Sequence, residues 1–259
     1  MDRLSTQGQA ALTSPGVISP AEWQARIDLA ACYRLCALYG WDDVIYTHIS
    51  AAVPGEPGHY LINPFGLRFD EVRASNLIKV DAQGEIVCRS PHSINRPGFV
   101  LHGAVHAARH DLACVMHLHN VNAIAVGAQS QGLLPLSAHA LRFYNQIGYH
   151  DYEGLVLTAG EQERLLANLG QKPAMLLRHH GSLICGRSIA EAFVLMEALD
   201  KACAIQLKAQ ASGVQPLLPP PEVCLQTYQQ LVGDGTPDGQ LEWPALLRKL
   251  DALSPGYRT

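Results

Sequence analysis

Two histidines flank one leucine in Val115-Met116-His117-Leu118-His119-Asn120, within a run from Leu112 to Leu141 that contains no Asp, Glu, Lys or Arg. This stretch constrains the fold more than any other. An uncharged run belongs in an interior, and a short apolar piece of it fits a buried strand. Side chains of a strand alternate, so His117 and His119 share one side and Leu118 takes the other. Two imidazoles on one side can converge on a single ion, and neutral imidazole ligates zinc, iron and other transition metals. Two half-buried core or edge histidines give the same pattern, so the pair alone leaves both readings open.

Composition excludes several classes. The 259-residue chain is 48% hydrophobic and 16% charged with a formal net charge of −4, which describes a globular protein with a large core. No run of Lys or Arg invites nucleic acid or an anionic membrane. The Leu112–Leu141 run holds three histidines, two asparagines, two glutamines and a proline, unlike a bilayer-spanning helix. Met1 to Gly16 is polar, and no secretion signal is expected there. Seven scattered cysteines without Cys-x-x-Cys suit reduced thiols and a cytoplasmic location.

Residues 1–17 are expected to form a flexible N-terminal arm. Ser19-Pro20-Ala21-Glu22 has the form of a capping box with Pro at the first helical position, opening a helix to about Tyr39. Strand-like pieces follow at Val44–Val53, His59–Asn63, Leu77–Val80 and Glu85–Arg89. A helix is expected over Phe99–Arg109, the His-x-His strand over Ala113–His119 and a helix over Val121–Ala128. Further strand-like pieces are Gln131–Leu136 and Gln146–Tyr149, then a helix over Glu161–Leu169. Ala174–Arg178 is an apolar strand that delivers His179-His180-Gly181, with Ser182–Cys185 as its possible continuation. Ser188 and Glu191 form a second capping box, opening a helix to about Ser212. Strands and helices interleave, so residues 18–215 are expected to form one α/β domain. Residues 216–259 are expected to form a C-terminal extension of two short helices, packed on the domain or on a neighbouring subunit.

The chain resembles the class II aldolase/adducin family through several spaced motifs. They are Tyr46-Thr47-His48-Ile49-Ser50, Asn63-Pro64-Phe65-Gly66-Leu67, Leu101-His102-Gly103-Ala104, His117-Leu118-His119 and His180-Gly181. Gly132-Leu133-Leu134-Pro135-Leu136-Ser137 and Tyr149-His150-Asp151-Tyr152 resemble its adducin-like branch. The resemblance implies a three-layer α/β/α sandwich with a mostly antiparallel central sheet. It also implies a homotetramer with the site near a subunit interface. It makes His117, His119 and His180 the ligands of a zinc-type ion, with Fe2+ or another divalent metal as alternatives. Three protein nitrogens with open positions are the pattern of a catalytic metal site. The chemistry implied is Lewis-acid stabilisation of an enediolate.

The sequence departs from the pattern of the active aldolases. Their acid/base glutamate lies nineteen residues before the first ligand histidine, and here that position is Gly98. The serines ahead of it fall on Arg96 and Pro97, and a phosphate-binding asparagine falls on His48. Candidates for the missing proton-moving group are His102, one helical turn after Gly98, and Tyr149 and Asp151 in the polar Tyr149–Glu153 segment. Arg96, His48, Asn63 and Gly66 are candidate substrate contacts, Arg96 through the planar fork that suits carboxylate or phosphate. Each also has a plain structural reading: a packing histidine, a polar turn or a surface arginine. His102, His106 and His110 at i, i+4 and i+8 make a second metal set or a partly solvated face. His179 points away from His180 if the strand is regular.

Three functions remain open on the sequence. One is a metal-dependent aldolase or lyase acting on a small hydroxy- or keto-acid or a sugar-derived substrate. The second is an Fe(II)-dependent oxygenase or decarboxylase. The third is a non-catalytic, adducin-like assembly protein.

Overall fold

The computed structural model describes residues 18–154, 158–233 and 235–259, so the expected N-terminal arm lies outside the described residues. Seven strands are present: β1 (His48–Ala52), β2 (His59–Ile62), β3 (Ile78–Asp81), β4 (Cys114–Leu118), β5 (Ile147–His150), β6 (Ala174–Leu177) and β7 (Gly181–Gly186). They form one sheet in the order β3-β2-β1-β4-β7-β6-β5. Every neighbouring pair is antiparallel except β5 and β6. The helices are α1 (Pro20–Leu38), α2 (Arg96–Ala108), α3 (Val121–Gly127), α4 (Ala138–Leu141), α5 (Ala159–Leu169), α6 (Ile189–Gln210), α7 (Pro221–Val232) and α8 (Glu242–Leu253).

Alternation along β4 sorts these helices into two outer layers. Cys114, Met116 and Leu118 pack with Leu29 and Tyr33 of α1 and Phe193 and Met196 of α6. Val115 packs the other way, with Leu101 and Val105 of α2 and Leu165 and Leu169 of α5. His117 takes the same face as Val115, because residues two apart on a strand share a side. The result is the expected α/β/α sandwich with a mostly antiparallel sheet.

Four local expectations differ from the structure. Residues 44–47 do not join β1, since Val44 and Thr47 have left-handed φ of 53° and 67° and turn the chain before the strand. Glu85–Arg89 contributes a single bridge, Ile86 to Val80, not a strand. Gln131–Leu136 is a loop. Side chains satisfy part of its backbone instead of a strand partner. Gln206 accepts the Leu134 N–H and donates to the Gly132 carbonyl, and the Tyr149 hydroxyl accepts the Leu133 N–H. Ser182–Cys185 does not continue β6. The chain reverses through Arg178-His179-His180, with His179 at φ 59° and the His180 N–H on the Leu177 carbonyl, and returns as antiparallel β7.

Both expected capping boxes are half formed. Ser19 and Ser188 accept the Glu22 and Glu191 N–H groups. The Glu22 carboxylate instead turns inward to Arg26 and Lys79, and Glu191 holds Arg187. A complete box is formed by Thr158 with Glu161 at the start of α5. The two expected C-terminal helices are α7 and α8. Trp243 and Leu250 of α8 are buried in the α1/α6 layer, and the Trp243 indole N–H donates to Asp28 at 3.0 Å.

Tyr33 ties α1 to the sheet where β1 and β2 part. Its hydroxyl accepts the Ile49 N–H at 2.6 Å and lies 2.5 Å from the Ile49 carbonyl and 2.9 Å from Asn63 Oδ1. Removing that oxygen leaves buried backbone groups without partners. Tyr33→Phe is expected to cost about 2–4 kcal/mol, read by urea unfolding. A change near zero contradicts this account of the β1–β2 gap.

Candidate metal centre

His117 projects from β4, His119 lies just beyond its end, and His180 sits in the β6–β7 turn. Their rings come together with centroid separations of 4.8–5.1 Å. One ligand nitrogen from each lies within 4.8 Å of the others. His117 Nδ1 faces the Ser182 carbonyl at 3.1 Å, and His119 Nδ1 faces Asp43 Oδ2 at 2.8 Å. Both contacts place the ring proton on Nδ1 and leave Nε2 as a lone pair. A carboxylate behind a histidine also orients the ring and raises its basicity toward an ion. His119 Nε2 is buried and has no hydrogen-bond partner among the described residues.

These residues fit a divalent ion. Three neutral imidazoles are a donor set that suits zinc or iron(II), and the orphaned His119 nitrogen has no other use here. Gly181 supplies the room. A Cβ there would sit 2.5 Å from the Leu118 carbonyl and 3.2–3.3 Å from the His119 and His117 rings. Burial is the main cause that pushes His117 well below the ordinary histidine range and His180 down to about 4; neighbouring imidazoles add to it. Lone pairs are therefore available at neutral pH.

A line of hydrogen bonds leads away from the triad. His48 Nδ1 meets His102 Nε2 at 2.6 Å, His102 Nδ1 meets Ser50 Oγ at 2.7 Å, and Ser50 Oγ meets His106 Nε2 at 2.8 Å. Register explains the start of the line: His48 of β1 pairs with His117 of β4. The other end of His48 fills the space beside Gly98. A Cβ on residue 98 would lie 2.0 Å from His48 Nε2. Burial, then the nearby His119 and His180, lowers His48 to about 3.

The family profile described as Class II Aldolase and Adducin N-terminal domain matches residues 27–207. A Caulobacter vibrioides protein named for aldolase class 2 is 50% identical over 243 residues, 93% of this chain and 95% of its own length. The chain belongs to the class II aldolase and adducin family. Rat alpha-adducin is 42% identical over 90% of this chain, which spans 34% of the adducin. Among solved structures, an aldolase II superfamily protein from Pseudomonas syringae has a TM-score of 0.90 at 48% identity, covering 93% of this chain and 98% of that one. An L-fuculose 1-phosphate aldolase from Glaciozyma antarctica has a TM-score of 0.82 at 25% identity, covering 98% and 100%.

In this class II aldolase and adducin fold the three histidines open on a cavity of about 170 Å³, room for a small molecule rather than one water. His48 and Gly98 line it, and Asp151 stands at its rim, ion-paired with Arg178 at 3.3 Å. The other candidates lie elsewhere. His102 is fully buried behind His48. Tyr149 faces the α6 side, where its hydroxyl holds Leu133 and the Arg178 guanidinium lies 5.0 Å above its ring. Asn63 bonds Tyr33, and Gly66 occupies a loop turn at φ +96°. Arg96 is exposed and forked onto Glu85 at 2.6 and 2.7 Å. His106 stacks on Tyr60 with ring centroids 4.3 Å apart, inside the domain rather than on a solvated face.

Sequence reasoning missed Asp43, the Ser182 carbonyl and the α5 part of the far wall, Glu161; the β5 part lies in the Tyr149–Glu153 segment that the sequence singles out. No spacing signal marks Asp43, 76 residues from His119. The far wall does carry one, the Thr158-x-x-Glu161 capping box.

Gly98→Ala is expected to destabilise the protein by about 1–3 kcal/mol through overpacking against His48. Adding His48→Ala should remove most of that penalty in a double-mutant cycle. Additive effects contradict the contact.

Proposed function

We propose that this protein is a divalent-metal-dependent lyase of the aldolase type, acting on a small hydroxylated carbonyl compound in the cytoplasm, with zinc as the ion held by His117, His119 and His180. The observation that carries the reading is the convergence of one ring nitrogen from each of three histidines, with Nδ1 of His117 and of His119 tied back by the Ser182 carbonyl and Asp43. A divalent ion there supplies a Lewis acid for negative charge developing on substrate oxygens.

The chain's own groups handle protons. The position of the aldolase glutamate is Gly98, and the His48 ring occupies the space beside it. His48 Nε2 is thus the atom placed to take or give a proton at the bound substrate. Held neutral, the ring works without a full positive charge, as a neutral histidine electrophile does. If His48 donates through Nδ1 to His102, Nε2 offers a lone pair. If the line runs the other way, from His106 through Ser50 and His102, Nε2 offers an N–H. His102 is a positioning residue that fixes His48. With Arg96 committed to Glu85 outside the cavity, the arginine favours no carboxylate substrate.

The reading includes a homotetramer with the cavity near a subunit interface. Tyr46 and Tyr152 line the cavity and are 52% and 46% exposed, apolar rings suited to cover by a second copy. Light scattering tests the tetramer. A non-catalytic assembly role is the second reading, favoured by the identity to alpha-adducin.

Metal analysis of untagged protein, with His117→Ala/His119→Ala as control, tests the reading. About one zinc per chain, lost in the control, is expected. Iron in its place moves the oxygenase forward, and no metal above the control leaves the assembly role. A His48→Ala variant that keeps its zinc should lower kcat by about 10²–10⁴-fold.

The metal-free protein should lose stability on acidification. Burial lowers His106 to about 4, against about 6.5 in an unfolded chain. Between these pH values the unfolded chain binds a proton that the folded protein does not, so stability falls as pH drops from 6.5 to 4 and then levels off. His106 alone accounts for about 3 kcal/mol at 1.36 kcal/mol per pH unit, read by urea midpoints at pH 7 and pH 4.5. Equal midpoints contradict it.

A further inference from the structure

The wall of the cavity built by β5 and α5 is used neither by the triad nor by His48. His150 ends β5 and is 5% exposed. Its Nδ1 lies 3.1 Å from the Asn168 amide nitrogen. An NH₂ donates, so Nδ1 is the acceptor and the ring proton sits on Nε2. That Nε2 is buried and has no hydrogen-bond partner among the described residues. The nearest carboxylate oxygen, Glu161 Oε1, is 3.7 Å away, beyond a direct hydrogen bond.

Glu161 is 5% exposed and is held in place by its own helix. Its N–H donates to Thr158 Oγ1 at 3.2 Å, and its Oε2 faces the Thr158 N–H at 3.4 Å. Oε1 is left facing His150, and both residues line the cavity. A buried N–H and a carboxylate oxygen of a buried residue thus face the same space, too far apart to bond each other directly.

We propose that His150 and Glu161 form a subsite for a hydroxyl group of the substrate, so that the cavity takes a neutral polyhydroxylated carbonyl compound. The proposal rests on the lyase reading above and names its substrate class. A hydroxyl accepts from His150 Nε2–H and donates to Glu161 Oε1, which meets both groups at once. A carboxylate or phosphate dianion has no proton for Glu161 and adds charge beside it. An ammonium has no lone pair for His150.

The surrounding charges agree. Asp151, Glu153 and Glu161 line the cavity, and among the described lining residues Arg178 is the sole guanidinium. Arg178 is spent on Asp151 and on the Gly127 and Gln129 carbonyls. No uncommitted cation on this wall receives an anion. The distance also suits a chain longer than one carbonyl unit. Register aligns His150 with Leu177, Leu177 with Gly181, and Ser182 with Leu118 one residue before His119. Three strand spacings separate the two sides, roughly 14 Å between backbones, and imidazoles from both reach inward.

The test is calorimetric titration of the zinc-loaded protein with D-xylulose, a neutral five-carbon hydroxyketone, and with D-xylulose 5-phosphate. His150→Phe keeps the ring volume and removes the N–H, and Glu161→Gln keeps the shape and removes the charge. Zinc content and Tm of each variant are recorded alongside. The expected result is binding of D-xylulose at least as tight as that of its phosphate. Each variant should weaken D-xylulose about tenfold with zinc content unchanged and the fold retained. Side-chain ¹⁵N NMR of His150 should respond to D-xylulose in the wild type and in the metal-free protein at higher concentration.

The subsite is overturned if either variant that keeps its fold and zinc binds D-xylulose as the wild type does. It is equally overturned if the phosphate binds tighter, or if His150 is silent at saturating D-xylulose and so holds only water. A wild type that takes up no zinc when it is supplied, but whose His150 still responds to D-xylulose, overturns the metal reading and leaves the subsite standing.

Discussion

Four imidazoles, His48, His102, His106 and His117, are each at most 4% exposed and lie against one another with no carboxylate among them. Burial disfavours a charged ring, and each neighbouring ring disfavours a second charge. All four are held below the ordinary histidine range. Neutrality makes the centre workable. It leaves lone pairs for an ion at the triad, and it lets His48, His102, Ser50 and His106 form a line in which the two inner members, His102 and Ser50, both give and receive. The layers around the centre preserve it, because water reaching these rings would restore their charge.

The exchange at Gly98 is the clearest local consequence. A backbone without Cβ and an imidazole from the adjacent strand occupy one volume, and neither position is free to change alone. The helix start helps to hold this arrangement. Asn95 accepts the Gly98 N–H, and Pro97 fits the first turn. The side chain that fills the space beside Gly98 thereby comes from a strand rather than from the helix, and a hydrogen-bonded line through His102, Ser50 and His106 supports it.

Much of this was legible in the chain. His-x-His in an uncharged run implied a strand with both rings on one side, and the structure places them so. Arg96 and Tyr149 show where local reading stops. Arg96 lies two residues from Gly98 in sequence, but the first turn of α2 points it outward to Glu85. Tyr149 lies one residue from His150, and the strand period sends the two to opposite faces. His102, a candidate for the glutamate's role with a packing histidine as the plain reading, is fully buried and bonds His48 from behind. The loop at Gln131–Leu136 has strand-like residues, but nothing in its own sequence shows that Gln206, more than seventy residues away, satisfies its backbone.

The sequence by itself determined the class of fold, most of its strands and helices, and the three histidines that come together, because these follow from periodicity, burial of uncharged segments and spaced motifs along one chain. Only the tertiary structure decided what stands behind and opposite those ligands. The partnership of His119 with Asp43, of His48 with Gly98, and of His150 with Glu161 depends on strand register and on which helix covers which face. Those are relations between distant segments, and no local pattern of residues encodes the distance between two side chains brought together by folding.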